Sequence, residues 1–439
     1  MIVGVQAIPA CFDAEQHRAG IPPEALDVHF QVYDTLLRHP VRTDSAGHRS
    51  VDFDVMQPGL LQSWDTSADG RTWSLQLRRS VISAAGNELT AHDVKWSWER
   101  AFALNSWSAR IARACGVSSP DCVRVAQTYT VQFRLEAPHE RFPAVLAAPF
   151  PAIHDLEFVR HECPVGDPWG DSWLRGHAAG FGPYTLDEVV GGEEAHLRAN
   201  LHYVGGAARE KRVLLRAIPV ARDRAEALLR GGVDIAADLP AAELACLKGQ
   251  PAVSASHFPG SREIVLRTDP AFPPFDQPRV LDALAAAVPY EAVARDVFAG
   301  AVRPLRAEQD QRRARSLLRE AGYGSGFRFS LSLPDDHPDL AAVAQAIQID
   351  AIRLNLKVVV ERLNPSLFAR QKVARQLPAY LEERQLLTPL TSPAELEPLP
   401  RVKAIPVAQP HCWLAARANV DGFARRPDGR PRYFELRKL

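Results

Sequence analysis

Hydrophobic and polar positions alternate strictly over residues 73–78, at the end of the stretch 58–78. Trp73, Leu75 and Leu77 are separated by single polar residues, and this period of two is typical of a half-buried strand. The preceding residues 67–70, Ser-Ala-Asp-Gly, have the composition of a tight turn. The pattern predicts a β-hairpin in which Trp73 faces a core and stabilises the sheet, in preference to stacking on a ligand.

Apolar residues then follow a helical spacing. Val94, Trp98 and Phe102 stand four positions apart, so they share one face of a helix. Thr90 can cap the first turn, and Asp93 completes a weak capping box. These residues predict an amphipathic helix with one packed and one solvated face.

Shorter segments with strand or helix patterns occur along the rest of the first 240 residues. Ile2–Ile8 is predicted as the first strand. Further strands are predicted at 128–135, after the glycines of 179–189, at 211–219 and at 233–240, with a short helix at 222–232.

From about residue 211 this alternation of strands and helices predicts an α/β arrangement. Its clearest unit is a strand at 327–333, a helix from Leu340 to Ala351 and a strand at 357–361, which predicts a right-handed βαβ crossover. Residues 378–410 contain seven prolines and little periodicity, so we predict an irregular connection there.

Composition narrows the possible partners. The chain has 439 residues, enough for two or three domains, and 52 basic residues balance 52 acidic ones. This balance argues against binding to nucleic acid or to an anionic membrane. The longest nearly apolar run, 142–153, includes three prolines and is shorter than the roughly 18 residues of a membrane span, so no transmembrane helix is predicted.

The first eleven residues, MIVGVQAIPAC, lack the charged start and the full apolar segment of a signal peptide. Either a signal was removed or the protein stays in the cytoplasm. Cys115 and Cys122 flank a short loop and could form a disulfide in an oxidising compartment, although two free thiols fit the sequence at least as well.

Sequence signatures of catalysis and cofactor binding are absent. The chain contains no Walker loop, no GxSxG elbow, no HExxH and no paired CxxC. His154, His161 and Cys163 form a loose group, as do the adjacent His411 and Cys412, but adjacent residues in an extended segment point to opposite faces. We therefore predict no catalytic residue, no metal site and no cofactor.

Seven segments, taken in order, resemble the family 5 solute-binding proteins of bacterial ABC importers, which include dipeptide-, oligopeptide- and nickel-binding proteins. The resemblance covers nearly the whole chain, and in it the tryptophan hairpin is a scaffold element. The segments are QVYDTLLR (31–38), the hairpin of 58–78, LTAHDVKWSWERAF (89–102), DPWGDSWLRGHAAGFGPYTL (167–186), LLRGGVDIAADLP (228–240), ARSLLREAGY (314–323) and QPHCWLAARANVDGF (409–423).

The resemblance implies an α/β fold shaped as a two-lobed clamp of the type II periplasmic-binding-protein class, with the extra domain of peptide-binding members. Ligand would be held between the lobes near the strands that connect them. Carried onto this chain, domain I is 1–40, 165–257 and 405–439, the inserted domain II is 41–164, and domain III is 258–404.

The function implied is capture of a peptide-like solute, or next a nickel complex or another metabolite, and its delivery to the permease subunits of an ABC importer by a monomeric protein. Periplasmic or extracytoplasmic location is expected from the resemblance, with the cytoplasm as the alternative. The candidate ligand-binding residues are Tyr33, Trp107, Arg110, Phe181, His411 and Trp413.

The sequence departs from the family in domain III. The tryptophan-and-aspartate loop of peptide-binding members and the helix after it are not found before residue 409, and the proline-rich loop expected after residue 305 is shortened. Phe181 also replaces the usual hydroxyl residue of the glycine turn. These departures leave two alternatives open: an intracellular ligand sensor or recruited enzyme, with His177 and His411 as first suspects, and a degenerate copy that binds nothing.

Overall fold

A computed structural model describes the chain except for residues 18–20, 46, 53, 141, 259, 261, 304–307, 386–402 and 427–428. The strands are β1 (Ile2–Val5), β2 (Leu37–Arg38), β3 (Val41–Thr43), β4 (Arg49–Val51), β5 (Gln57–Pro58), β6 (Leu61–Thr66), β7 (Thr72–Leu77), β8 (Val123–Gln127), β9 (Thr130–Arg134), β10 (Tyr184–Val190), β11 (Glu194–Ala199), β12 (Arg212–Ala217), β13 (Ile235–Ala236), β14 (Val253–Phe258), β15 (Arg262–Thr268), β16 (Val302–Arg303), β17 (Arg328–Pro334), β18 (Lys357–Leu363), β19 (Ala379–Gln385), β20 (Lys403–Pro410), β21 (Cys412–Arg417), β22 (Val420–Asp421) and β23 (Arg437–Lys438). The α-helices are α1 (Pro23–Val32), α2 (Ala91–Ala103), α3 (Trp107–Ala114), α4 (Phe142–Ala147), α5 (Leu156–Glu162), α6 (Asp171–Leu174), α7 (Ala221–Arg230), α8 (Ala241–Leu247), α9 (Pro278–Ala287), α10 (Tyr290–Ala292), α11 (Gln311–Glu320), α12 (Pro338–Ala351) and α13 (Pro365–Val373). Single turns of 3₁₀-helix lie at Ala14–Gln16, Pro120–Cys122, Ile352–Leu354 and Tyr433–Glu435, and a π-helical turn lies at Val293–Val297.

The first lobe is built on a seven-stranded sheet in the order β10-β11-β12-β1-β13-β21-β14. Strand β1 lies at its centre, parallel to both β12 and β13. Val3 and Val5 pack on one face with α1 and the C-terminal segment, whereas Ile2 packs on the other face with α7 and α8. The central strand is therefore covered on both faces, as is usual for parallel strands.

An antiparallel sheet, β6-β7-β9-β8, forms the core of the segment between β1 and β10. The predicted hairpin is confirmed as β6 and β7, with Gly70 at a φ of +67° in the turn. Trp73 is half-buried and packs edge-on against Phe142. Helix α2 begins with the predicted Thr90 and Asp93 capping box, and Trp98 on it is fully buried.

The second lobe contains a six-stranded sheet in the order β16-β20-β15-β19-β17-β18. Strands β17 and β18 are parallel neighbours and α12, which packs on both, connects them. This confirms the predicted βαβ unit.

The prediction of an irregular connection over 378–410 is wrong at both ends, where β19 and β20 pair with the two sides of β15. The prolines fit because Pro406 lies at a register shift of β20 and Pro410 ends that strand, positions at which a sheet tolerates proline. The central part, 386–402, lies outside the described residues.

The chain passes between the lobes at two neighbouring points. Strand β14 belongs to the first sheet and β15 to the second, while β20 belongs to the second and β21 to the first. Only His411 separates β20 from β21. The lobes are thus joined by an antiparallel strand pair that continues from one sheet into the other, and the predicted two-lobed α/β clamp is confirmed.

The predicted boundaries of domains I, II and III stay a prediction. Cys115 and Cys122 are not joined by a disulfide, and Cys122 Sγ lies 3.6 Å from the Ser118 hydroxyl. Among the described helices, none combines the length and the apolar character needed to cross a membrane.

Candidate functional site

The edge of the first sheet that faces the second lobe is set by strand direction. Strands β1 and β13 are parallel, and β13 and β14 both run antiparallel to β21. The carboxyl ends of β1, β13 and β14 therefore lie at one edge, from which the chain enters the second lobe. We call this the interlobe edge, and in open α/β sheets ligands bind outside the carboxyl ends of the strands.

Two histidines and a tryptophan meet where the strands cross. His257 near the end of β14 lies opposite Trp413 of β21, with ring centroids 4.7 Å apart. The Nδ1 atoms of His257 and His411 are 2.8 Å apart, so one ring donates a hydrogen bond and the other accepts it. Partial burial and the neighbouring His257 lower the pKa of His411.

A buried ion pair supports the interlobe edge from the first lobe. Arg430 of the C-terminal segment contacts Asp27 of α1 and lies 3.3 Å from Asp238. Asp238 follows β13 and has a left-handed φ of +50°. The buried Arg224 donates to the main-chain oxygens of Ala237 and Asp238, at 3.2 and 3.0 Å. These hydrogen bonds hold the turn that presents Asp238.

The second lobe brings its own ion pair to the same place. Arg262, the first residue of β15, donates to both carboxylate oxygens of Glu383 on β19, at 2.9 and 2.5 Å. It also lies 3.7 Å from Asp339, and His337 lies 3.7 Å from Glu383. The Asp339 carboxylate lies near the backbone of Ala241 in the first lobe, and Ala241 packs into the hydrophobic core of the second lobe, so the two lobes are in contact here.

The two ion pairs act on each other across the lobes. Partial desolvation between the lobes works against the ionised form of Asp238, but the positive charges of Arg430 and Arg262 outweigh it and lower the pKa of this carboxyl. Burial raises the pKa of Asp27 to about 6 although Arg430 opposes the change. We call the combined group the interlobe charge cluster; it consists of Asp27, Arg224, Asp238 and Arg430 from the first lobe and of Arg262, Asp339 and Glu383 from the second.

Asp238 is the carboxylate of this cluster that is most open to solvent. Its side chain is 42% exposed, against 20% for Glu383, 13% for Asp339 and 4% for Asp27. The cluster sets four carboxylates against three guanidinium groups. An excess of negative charge beside a low-dielectric wall attracts a cation, so the arrangement can bind a protonated amine at Asp238.

The candidate residues predicted from sequence lie in several places. His411 and Trp413 are brought together with His257. Tyr33 is buried at the end of α1, where its hydroxyl accepts a hydrogen bond from the Ala179 N–H at 3.4 Å.

Phe181 is buried in the hydrophobic core formed around the sheet β6-β7-β9-β8, which we call the core of the inserted segment. Trp107 is half-buried and packs edge-on against Phe150 at the start of α3, with Arg110 one turn further along that helix. The structure does not group these residues with His411 and Trp413.

Other histidines considered from sequence pack against aromatic rings or pair with a neighbouring side chain. His154 is buried between Tyr33 and Trp96, and His161 is exposed and pairs with Glu162. His177 stacks on Trp173 at 4.6 Å. In the described part of the chain no three His, Cys, Asp or Glu side chains are grouped as metal ligands.

Sequence reasoning missed Asp238, Arg262 and Glu383. One signal was available for Asp238, because it lies near the carboxyl end of a predicted strand, and such ends in α/β sheets hold ligands. Arg262 and Glu383 are 121 positions apart, and nothing local in the sequence pairs them.

Comparison with known proteins gives the family. Residues 55–389 match the family model described as bacterial extracellular solute-binding proteins, family 5 Middle. The probable D,D-dipeptide-binding periplasmic protein of Escherichia coli (strain K12) is 27% identical over 301 residues, which cover 68% of this chain and 55% of that protein. The dipeptide-binding protein of the same organism is 24% identical over 351 residues, covering 71% and 65%. The chain thus spans 55 to 65% of the length of these two relatives.

Solved structures show the same fold. The periplasmic binding protein of Helicobacter pylori in complex with the peptide STSA superposes with a TM-score of 0.81 at 17% identity, covering all of this chain and 98% of that one. The dipeptide-binding protein from Pseudoalteromonas in complex with Met-Leu gives 0.81 at 18% identity, with both chains fully covered. Since the family model matches most of the chain, this protein belongs to the family 5 bacterial extracellular solute-binding proteins.

Proposed function

We propose that this protein captures a small peptide-like solute with a free amino group between its two lobes and delivers it to an ABC importer. The observation that carries the proposal is Asp238, a solvent-open carboxylate at the interlobe edge. Relatives named for dipeptides and glutathione support the ligand class.

Capture follows from the geometry of the interlobe edge. A ligand ammonium beside Asp238 adds the positive charge that the cluster lacks. When the second lobe closes over it, water is excluded and each polar contact gains strength. Trp413 and the rings of His257 and His411 give an apolar surface on which a side chain or a peptide plane can pack.

The partner proposed is the permease of an ABC importer, which would recognise the closed state of a monomeric binding protein. Location outside the cytoplasm belongs to the same proposal, and the family description and the names of the relatives support it. The ligand-bound fold neighbours support a clamp that closes on its ligand.

Calorimetric titration with a panel of dipeptides tests the proposal, each dipeptide paired with its N-acetylated form. We expect micromolar or tighter binding of at least one dipeptide, weakened by about tenfold or more on acetylation, since the charge-assisted contact to Asp238 is lost. Asp238→Asn should produce a similar loss while Arg430 keeps Asp27 as a partner. Asp282→Asn, at an exposed position on α9, is the matched control and should bind as the unaltered protein does.

Two results would contradict the proposal. One is the absence of binding across the whole panel. The other is binding that neither acetylation nor Asp238→Asn weakens, which would place the ligand's amino group elsewhere.

A further inference from the structure

A second cavity lies in the first lobe, away from the interlobe edge. It has a volume of about 430 Å³, within the range of small-molecule sites. Its walls come from the end of α1, the hairpin of β3 and β4, and the C-terminal segment. Asp27 of α1 belongs to the interlobe charge cluster, and Tyr33 on the cavity wall lies six residues later, roughly 9 Å further along the helix axis.

Aromatic rings form much of the cavity wall. Phe30, Tyr33, Tyr203 and Phe434 all line it, and the rings of Tyr203 and Phe434 meet edge-to-face at 5.0 Å. The Tyr203 hydroxyl donates to Asp34 at 2.9 Å, which fixes that ring. An apolar, largely aromatic wall with a few polar groups is typical of a site for a small organic molecule.

The charges on the wall favour an anion. Among the described residues, four arginines line the cavity against two carboxylates: Arg38, Arg49, Arg426 and Arg432, and Asp34 and Glu435. Glu435 forms ion pairs with two of these arginines: it contacts Arg426 and lies 3.5 Å from Arg49. Burial raises the pKa of Asp34, and both of its carboxylate oxygens already accept hydrogen bonds, from the Thr35 N–H and the Tyr203 hydroxyl.

Arg38 is placed to receive an acidic group beside the aromatic wall. The Arg432 guanidinium lies over the Phe30 ring, 3.8 Å from its centroid, so a cation and an aromatic surface are presented side by side. Arg38 is exposed at the cavity wall. Within the described ranges, no residue forms a hydrogen bond or an ion pair with its guanidinium.

We infer that this cavity binds a small organic anion with an aromatic body, with the rings packing on the body and Arg38 pairing with the acid group. The inference is independent of the proposed function, because no residue of the interlobe charge cluster lines this cavity. A bound molecule would touch the first lobe, the inserted segment and the C-terminal segment together, and would stabilise their packing.

The test uses anilinonaphthalenesulfonate, a fluorescent aromatic anion, and the neutral N-phenylnaphthylamine, which has the same ring systems without the acid. We expect the anion to bind saturably with a stoichiometry of one. Arg38→Gln should weaken it by about tenfold and Arg38→Glu by more, because the charge-assisted contact is lost and then reversed. Both variants should leave binding of the neutral probe unchanged.

Arg328→Gln is the matched control, since Arg328 is an exposed arginine of the second lobe. Because Arg38 is exposed, its variants should fold, and circular dichroism checks this. Anion binding that both Arg38 variants leave intact would overturn the inference, as would the absence of saturable binding. If Arg328→Gln weakened anion binding as much as Arg38→Gln does, the inference would also be overturned, because binding would then depend on the overall charge of the protein and not on this cavity.

Discussion

Replacement of Arg262 by methionine should destabilise the second lobe and its contact with the first. The change removes both hydrogen bonds to Glu383 and leaves Glu383 and Asp339 near Asp238 without their shared cation. Removing one partner of a buried ion pair costs about 3 to 5 kcal/mol. Arg262 and Glu383 keep 22% and 20% of their side chains exposed, so we expect about 3 kcal/mol, the lower end of that range.

The assay is a double-mutant cycle followed by chemical denaturation, with Arg262→Met, Glu383→Gln and the double variant. Each single change leaves an uncompensated polar partner, whereas the double change removes both. We therefore expect the double variant to be closer in stability to the unaltered protein than the sum of the single changes predicts, with a coupling energy of about 2 kcal/mol or more.

Arg295 and Asp296 provide the matched control, because they form an equally bidentate pair in the same lobe but are 72% and 57% exposed. Their cycle should show a far smaller coupling, since water screens an exposed pair. If the Arg262 and Glu383 cycle gave no more coupling than this surface pair, the burial argument would be refuted.

Three further predictions concern the first lobe and are checked by the free energy of unfolding. Asp13→Asn should cost about 3 to 5 kcal/mol, because it leaves the fully buried Arg100 without its bidentate carboxylate; an effect below about 1 kcal/mol would contradict this. Burial lowers the pKa of His29 from 6.5 to about 4, so below pH 6.5 the unfolded state binds the proton more readily, and stability attributable to His29 falls by about 3 kcal/mol between pH 6.5 and 4. His29→Gln should reduce this loss of stability on acidification. An unchanged pH dependence of the free energy of unfolding would argue against a buried neutral ring. Gly182→Ala should cost about 1 to 3 kcal/mol, since its Cβ would lie 2.5 Å from a backbone oxygen, while Gly176→Ala, where nothing lies within 4 Å, should have little effect.

Local patterns were enough to predict the elements that depend on neighbouring residues. The hairpin around Gly70, the cap at Thr90 and the βαβ unit of 327–361 were all predicted, because each is specified by a turn, a cap or a period within a few residues. The resemblance to family 5 rested on the order of such segments, and it placed them in a two-lobed fold.

Contacts between distant residues could not be predicted. The strands at 379–385 and 403–410 were missed because their prolines suppress the local signal, although both pair with β15. The interlobe charge cluster combines residues from positions 27 to 430 of the chain, and the fold of each lobe together with the two crossings brings them together.

The glycines on either side of Phe181 also depend on a contact between distant residues. The sequence showed two glycines in the GFGPY turn but not the contact that requires them. In the structure, a Cβ at Gly180 or Gly182 would approach the backbone oxygen of Val32 to 2.4 and 2.5 Å. Close packing of the turn against the end of α1 requires glycine, and this packing accounts for the two glycines of the motif.

The central claim, that the lobes hold a small solute, is tested most directly by native mass spectrometry of the protein purified gently from its own host. We predict a defined extra mass that is lost on denaturation, and a reduced fraction of this bound form in Asp238→Asn but not in Asp282→Asn. A clean mass of the unliganded chain, even after incubation with peptide and metal-chelate pools, would contradict the claim.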